Sequence, residues 1–447
     1  MGRYDAPGHG VVDWKAAHRE ALAVLQSYLR IDTSNPPGQE APAARYLGAL
    51  LEAEGIETRY FETAPGREIV YARIPGDGSK GAFMLANHTD VVPVEAAYWT
   101  VPAFDGQEVG GRIYGRGAVD MKGVAVMQLM ALLLARRLGL RLKRDLVFCA
   151  VPDEEALGRY GMGWLCEHHP ELLDEVEFEM NEGGSGTSEF QGTDRPVFFV
   201  ATSEKQVCWL RLTAVGVPGH GSIPHPLEHN SAVRLARAIQ RLAEWERPVT
   251  FTPATEAWVD QLAQVGLMPP RTHRAEIEAM IAESAPLRAM FSNTLNVTML
   301  ASGIKANVIP AESTAVVDCR LLPGQSREGW RQQVIARLDD PTVQVSFHEQ
   351  IDEVDPVSAP WDTELYRVIE AVVTEAVEGA VVAPSMTIGG TDNRFLRARG
   401  IPAYGFAPCI LSLEERSGFH GNDEFLTVDN LNMGCELTFE IVRRLCL

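Results

Sequence analysis

Long uninterrupted apolar runs are missing from this chain. The first 20 residues, MGRYDAPGHGVVDWKAAHRE, hold no segment of the signal-peptide kind. No later run approaches the roughly 20 residues of a spanning helix. The sequence therefore predicts no membrane partner and a cytoplasmic protein. Basic residues are also in short supply, 40 against 60 acidic ones for a net charge of -20, which argues against nucleic acid and anionic membranes as partners. The seven cysteines (149, 166, 208, 319, 409, 435 and 446) form an odd set with no CxxC pair, so neither a disulfide framework nor a zinc ribbon is indicated. Cys149, Cys208 and Cys319 fall in strand-like runs and read as reduced, buried thiols. There is no low-complexity linker and no internal repeat, which excludes a solenoid. What is present, 447 residues of which 46% are hydrophobic, exceeds the size of one ordinary core and predicts two domains.

Residues 13 to 29 carry apolar side chains at helical spacing and stop before the breaker-rich SNPPGQ. A second helix is expected over 41 to 54, ended by Gly55. The runs GAFMLAN (81 to 87), DLVFCAV (145 to 151) and the weaker EVEFEMN (175 to 181) are too short for helices, and between the first two lies the apolar helix KGVAVMQLMALLLARRLG, stopped at Gly139. That order predicts an α/β fold with a buried, mostly parallel sheet. From 206 the pattern turns to alternation, in QVCWLRLTAVG, NTLNVTML and STAVVDCRL, with helices over 231 to 245 and 327 to 338 and a closing strand VQVSFH. Beyond 355 the first style returns. The expected organisation is a catalytic domain of residues 1 to 205 and 351 to 447, with an inserted α+β lid of residues 206 to 350.

Side chains that bind metals cluster where such a sheet would hold a ligand, in the crevice beyond the carboxyl ends of its strands. ANHTDVV (86 to 92), GAVDMKG (117 to 123), VPDEEALG (151 to 158), NEGG (181 to 184) and FHGNDE (419 to 424) each follow or approach an apolar run. Asp90 lies two residues after His88, placed to fix that imidazole's tautomer. Asp120 is the candidate bridge between two ions, each carboxylate oxygen serving one. The expected sites are His88, Asp120 and Glu182 on one ion, and His420, Asp120 and Glu155 on the other. Two histidines among the ligands favour zinc, with manganese or cobalt as alternatives.

With HTDVVP, YGRGAVDMKG, DEE, EGG, GHGS, NVIPAE, GGTDNR and FHGNDE in view, the chain resembles the aminoacylase and carboxypeptidase family of two-zinc metallopeptidases, which includes acetylornithine deacetylase and succinyl-diaminopimelate desuccinylase. The EGG form, the Glu204-Lys205 pair and PHPLEHNSA look most like carboxypeptidase S and the N-acyl-amino-acid hydrolases. The resemblance implies the same five ligands, Glu154 as general base and then acid toward a water shared by the metals, and a cis Asp120-Met121 peptide. It also implies His220 of the lid as donor to the developing oxyanion, and a possible homodimer through the lid. The chain departs from short-lidded members by extra, largely helical sequence at about 253 to 292.

A cleft that holds a free carboxylate beside the reacting amide needs a cation, and Arg394 and Arg320 are the candidates. Arg320 reads equally as half of a structural salt bridge, and Asn307 either lines the pocket or caps a turn before Pro310. The expected activity is hydrolysis of an N-acyl-amino acid or short peptide. The alternatives are a dipeptidase or carboxypeptidase acting on peptides with a free C-terminus, a deacetylase or desuccinylase of amino-acid biosynthesis, and an inactive binding protein on the same scaffold.

Overall fold

The computed structural model describes residues 11–190, 192–348 and 354–447. Eight strands form the larger sheet, in the order 57–64, 67–74, 146–151, 82–88, 176–187, 403–410, 197–204 and 381–387. The strand Ala82–His88 runs parallel to both Leu146–Val151 and Val176–Thr187, and the latter is parallel to Ala403–Ile410. The parallel centre is flanked by an antiparallel hairpin, Glu57–Ala64 with Arg67–Ile74. All seven residues of Ala82–His88 and all six of Leu146–Val151 are buried. Alternation then divides them between two cores. Phe83, Leu85, Leu146 and Phe148 face the helices Trp14–Leu29, Lys122–Arg137 and Val428–Cys446. Met84, Ala86, Val147 and Cys149 face Met162, Leu165, Phe395 and Leu396. Such covering on both faces is why these strands read as continuous apolar runs rather than alternating ones.

The helices expected over 13 to 29 and 41 to 54 are Trp14–Leu29 and Ala41–Ala53, and Gly55 does end the second, at φ +68. The sequence reading does not name the hairpin over 57–74, the strands Val197–Glu204 and Ala403–Ile410 or the helix Val428–Cys446. Another element differs in extent. The run expected over 175 to 181 continues to Thr187, so Glu182 lies inside a strand rather than at its end. Glycine permits the continuation, because a Cβ on Gly184 would stand 2.2 Å from the Phe199 carbonyl oxygen and one on Gly183, at φ +122, would meet the Thr387 hydroxyl at 2.7 Å.

A second sheet of four antiparallel strands, ordered 294–302, 312–321, 206–215 and 343–347, carries the alternating segments. Cys208, Leu210, Leu212 and Ala214 point to one face, against Leu235, Ala238, Trp330 and Val334 of the helices Ser231–Ala243 and Arg327–Leu338. The extra helices Pro253–Gln264, Arg274–Glu283 and Ala285–Phe291 do not join that core. Trp258, Val259, Ile277 and Phe291 pack instead with Val197, Val381 and Ala383 of the larger sheet, so the middle of the 206 to 350 segment covers the sheet's 381–387 edge. The expected return to the first domain at 351 lies outside the described residues. All seven cysteines are free. Among the described residues no helix is long and apolar enough to cross a membrane.

Candidate metal centre

The strand that holds His88 ends on it, and the next strand in the sheet, Leu146–Val151, runs into the turn of Asp153, Glu154 and Glu155. Asp120 precedes the helix Lys122–Arg137, and the Asp120–Met121 peptide is cis. His420 reaches the same place from the short turn after Leu413–Ser417, at φ +55. The five expected ligands therefore converge. His88 Nε2 lies 3.1 Å from Asp120 Oδ1 and 3.6 Å from Glu182 Oε1, while His420 Nε2 lies 3.2 Å from Asp120 Oδ2 and 3.1 Å from Glu155 Oε2. One Asp120 oxygen thus faces each imidazole. Glu154 joins the cluster, offering a carboxylate oxygen within 4.8 Å of ligand atoms of His88 and Glu182.

This is a costly arrangement for a protein alone. Two like charges 4 Å apart repel by about 4 kcal/mol at an effective dielectric constant near 20, and four carboxylates share this pocket. Their proton affinities record the strain. Burial, then the Asp120 charge, pushes Glu182 up to about 7; burial and the Glu182 charge hold Glu154 well above the usual carboxylate range; burial and Asp120 raise Glu155. Burial works against Asp120 as well, but hydrogen bonds to His420 and His88 outweigh it and keep that carboxyl low. Hydrogen bonds to Asp120 and Glu155 carry His420 up to about 10. For His88, burial is outweighed by Glu182, Asp120 and Asp90, and its value is raised. Glu155 Oε1 is buried with no hydrogen-bond partner. Two imidazoles, converging carboxylates and an orphaned oxygen form a donor set that fits two divalent cations.

The contact expected between the Asp90 carboxylate and the His88 ring falls mainly to the Asp90 main chain. His88 Nδ1 is 3.0 Å from the Asp90 main-chain carbonyl, and the carboxylate is the more distant partner at 3.5 Å. That carboxylate instead accepts the main-chain N–H groups of Glu154 and Glu155, both at 3.1 Å. Two further buried acids brace the centre, a role the sequence reading gave to neither. Glu424 accepts from Gly117 N, Val119 N, Asp120 N and Arg116 Nη1 at 2.8 to 3.1 Å, joining the GRGAVD loop to FHGNDE. Glu204 accepts from Thr391 N, the Thr391 hydroxyl and Arg397, fixing the GGTDNR loop. Each sits in a motif that was recognised, Glu424 in FHGNDE and Glu204 beside Lys205, but no local feature of the sequence marks its bracing role.

A cavity of about 790 Å³ opens beside the cluster. Val124, Met127, Leu411 and Leu426 line its apolar end, and Val207, Trp209, Asn296, Asp318 and Arg320 of the smaller sheet face it. Asn296, Asp318 and Trp209 are direct cross-strand neighbours, forming one row across three strands. Arg320 is already paired, its Nε and Nη2 donating to Asp318 at 2.8 and 3.1 Å, so the salt-bridge reading holds for it in this conformation. Arg394 also lines the cavity and donates to the carbonyls of Thr391 and Leu157. Arg416, which the sequence reading did not select, lines it too and donates to Gly186 O and Ser185 Oγ. Neither has a carboxylate partner among the described residues. His220 and Asn307 are not brought to the cavity. Both are exposed, His220 within the short ladder that pairs Gly219 with Ile309 and His220 with Val308 and Asn307 just before it, and the His220 Nδ1 is 2.7 Å from the Ser222 hydroxyl.

Residues 84–444 match the description Peptidase family M20/M25/M40. Among curated relatives, the N-fatty-acyl-amino acid synthase/hydrolase PM20D1 of Xenopus tropicalis is 30% identical over 379 residues, covering 81% of this chain and 72% of that protein. Aminoacylase-1 of Sus scrofa is 28% identical over 397 residues, covering 87% and 86%. Among solved structures, the M20 family metallo-carboxypeptidase Sso-CP2 from Sulfolobus solfataricus superposes with a TM-score of 0.72 at 18% identity, covering 95% of this chain and 98% of that one. With a family match over most of its length, the chain belongs to Peptidase family M20/M25/M40 and is a metal-dependent hydrolase.

Proposed function

We propose that this protein hydrolyses the amide bond of N-acyl-amino acids or short peptides at two divalent cations, one held by His88, Asp120 and Glu182 and the other by His420, Asp120 and Glu155. The observation that carries this reading is the Asp120 carboxylate, with one oxygen toward each histidine. Zinc is the proposed ion, since histidine nitrogen and carboxylate oxygen together suit it, with manganese or cobalt as substitutes. When bound, such a pair polarises a carbonyl and lowers the pKa of a water toward neutrality. Glu154, half-buried beside Glu182 and avid for a proton, takes that water's proton and later delivers it to the leaving amine nitrogen, one residue serving as base and then acid. Asp90 orients the His88 ring and holds the Glu154 and Glu155 main chain.

On the substrate side, Arg394 is the proposed carboxylate anchor, assisted by Arg416, since both guanidinium groups line the cavity and neither is ion-paired among the described residues. Arg320 contributes if a substrate carboxylate displaces Asp318. The apolar end at Val124, Met127 and Leu426 suits an acyl chain or apolar side chain. PM20D1 and aminoacylase-1, by their names, act on acylated amino acids, which supports that substrate class here.

The proposed division is a catalytic part, 1 to 205 and 351 to 447, and a lid built on the smaller sheet within 206 to 350. The lid's strand Thr294–Ser302 is an unpaired edge whose Val297, Met299 and Leu300 are 39%, 59% and 65% exposed, a surface that pairs readily with a second copy. A homodimer through this edge is proposed, with His220, and Asn307 beside it, offered to the partner's cavity. The acidic charge and free thiols fit a cytoplasmic setting.

A substrate panel on metal-reconstituted enzyme tests the activity: turnover of N-acyl-amino acids is expected to exceed that of free-amine dipeptides and of N-acetyl or N-succinyl biosynthetic intermediates, and a clear preference for dipeptides reverses the assignment. Glu154→Gln should keep two metals per chain and lose turnover; undiminished turnover removes Glu154 from the chemistry. Metal affinity should strengthen as pH rises from about 6 to 10, because His420, at about 10, and Glu182, at about 7, must shed protons to ligate; titrations with a competing chelator read this directly, and a flat profile contradicts it. His220→Ala should lower kcat on the order of a hundredfold, as for loss of an oxyanion donor. Mixed dimers of His220→Ala and Glu154→Gln chains should regain activity if the histidine serves the partner's site, and stay inactive if it serves its own.

A further inference from the structure

The breaker-rich segment SNPPGQ has no part in the chemistry described so far, yet it lies against the catalytic turn. Residues 33 to 35 run beside the end of the His88 strand: the Thr33 hydroxyl donates to Thr89 O at 2.7 Å, Val91 N donates to Thr33 O at 3.1 Å, and Asn35 N donates to Val91 O at 2.9 Å. From there Asn35 Nδ2 bridges two acids, donating to Asp90 Oδ2 at 2.9 Å and Asp153 Oδ1 at 3.2 Å. Its Oδ1 accepts from Arg67 Nη2 at 3.0 Å, and Pro37 O accepts from the same nitrogen at 3.1 Å. The loop closes so tightly over the guanidinium that a Cβ on Gly38, at φ +78, would stand 2.1 Å from Arg67 Nη2. Arg67 Nη1 donates to Asp153 Oδ1 at 2.5 Å and Glu40 Oε1 at 3.1 Å. Asn35, Glu40, Arg67, Asp90 and Asp153 are all buried.

Asp153 is the point where this network meets the chemistry. It is a non-glycine residue at φ +75, and its Oδ2 accepts from Tyr160 N at 2.9 Å, so its carboxylate spans the turn that carries Glu154 and Glu155. Asp90 grips the same turn from the other side through the Glu154 and Glu155 N–H groups. Buried charge pairs held by several hydrogen bonds keep a single arrangement where an exposed loop would sample many.

We propose that Arg67, clamped by the Asn35 to Gly38 loop, is a positioning residue that sets the Glu154 carboxylate for proton transfer by holding Asp153 and Asp90. This rests on the proposed role of Glu154. Displacing a reacting group by about 1 Å costs on the order of a hundredfold in rate, so the clamp acts on kcat and leaves substrate affinity alone.

The test uses the metal-loaded, full-length enzyme. Arg67→Met should lower kcat by on the order of ten- to a hundredfold with KM nearly unchanged and two metals per chain, and Arg67→Lys should restore part of the loss. Asn35→Ala, which removes the Asp90 and Asp153 bridge while leaving the ion pairs, should lower kcat in the same manner and decides the matter if Arg67→Met does not fold. Arg144→Met is the control. Arg144 is also buried and ion-paired, with Glu177 and Glu364, and lies two residues before the strand Leu146–Val151, at the end away from the acidic turn; the substitution should destabilise without changing kcat. Wild-type kcat in the folded, metal-loaded Arg67 or Asn35 variants overturns the clamp, as does a rise in KM in place of the kcat loss, or an equal kcat loss in the Arg144 control. A silent Arg67→Met beside an inactive Glu154→Gln removes the clamp alone and leaves the hydrolase reading intact.

Discussion

The structure is organised around a concentration of negative charge that the polypeptide cannot neutralise by itself. Asp120, Glu154, Glu155 and Glu182, all half-buried, converge on the buried His88 and the exposed His420, and every one of those carboxyls except Asp120 has its proton affinity raised. Asp120 escapes only because both histidines donate to it. Divalent cations resolve the conflict, and burial with the same crowding leaves Glu154 with a strong hold on a proton, as the role proposed for it requires.

Holding such a cluster requires a rigid frame, and the frame is made largely from other buried acids. Asp90 pins the Glu154 and Glu155 turn, Asp153 ties that turn to Arg67, Glu424 gathers the amides before Asp120, and Glu204 fixes the loop that bears Arg394. Each of these carboxylates accepts main-chain or arginine donors from a segment distant in sequence. The sheet beneath supplies the stiffness: its central strands are buried on both faces, so the ends that carry His88 and the acidic turn have little freedom to shift.

The smaller sheet plays a different part. One face is a core against two helices, and the other presents Trp209, Asp318, Asn296 and Arg320 to the cavity. It supplies none of the five candidate metal ligands and forms part of the cavity wall instead. The helices over 253–291 belong energetically with the larger sheet, covering its edge strand with Trp258, Val259 and Phe291, and leave the lid's own edge at Thr294–Ser302 open.

The α/β class, the buried runs at 81 to 87 and 145 to 151 and the convergence of the five candidate ligands were legible in the sequence, because apolar runs of strand length and acids or histidines at their ends are local patterns that survive without coordinates. Whether Arg320 is free or tied to Asp318, that His220 and Asn307 stand away from the cavity, that Glu182 lies within a strand, and where the 253–291 helices pack were decided only by the tertiary structure. The physical reason is range. Helix and strand periodicity is set within a few residues, whereas ion pairing, cavity lining and the support of a catalytic turn depend on contacts between segments such as Asn35, Arg67 and Asp153, which nothing in their neighbours along the chain brings together.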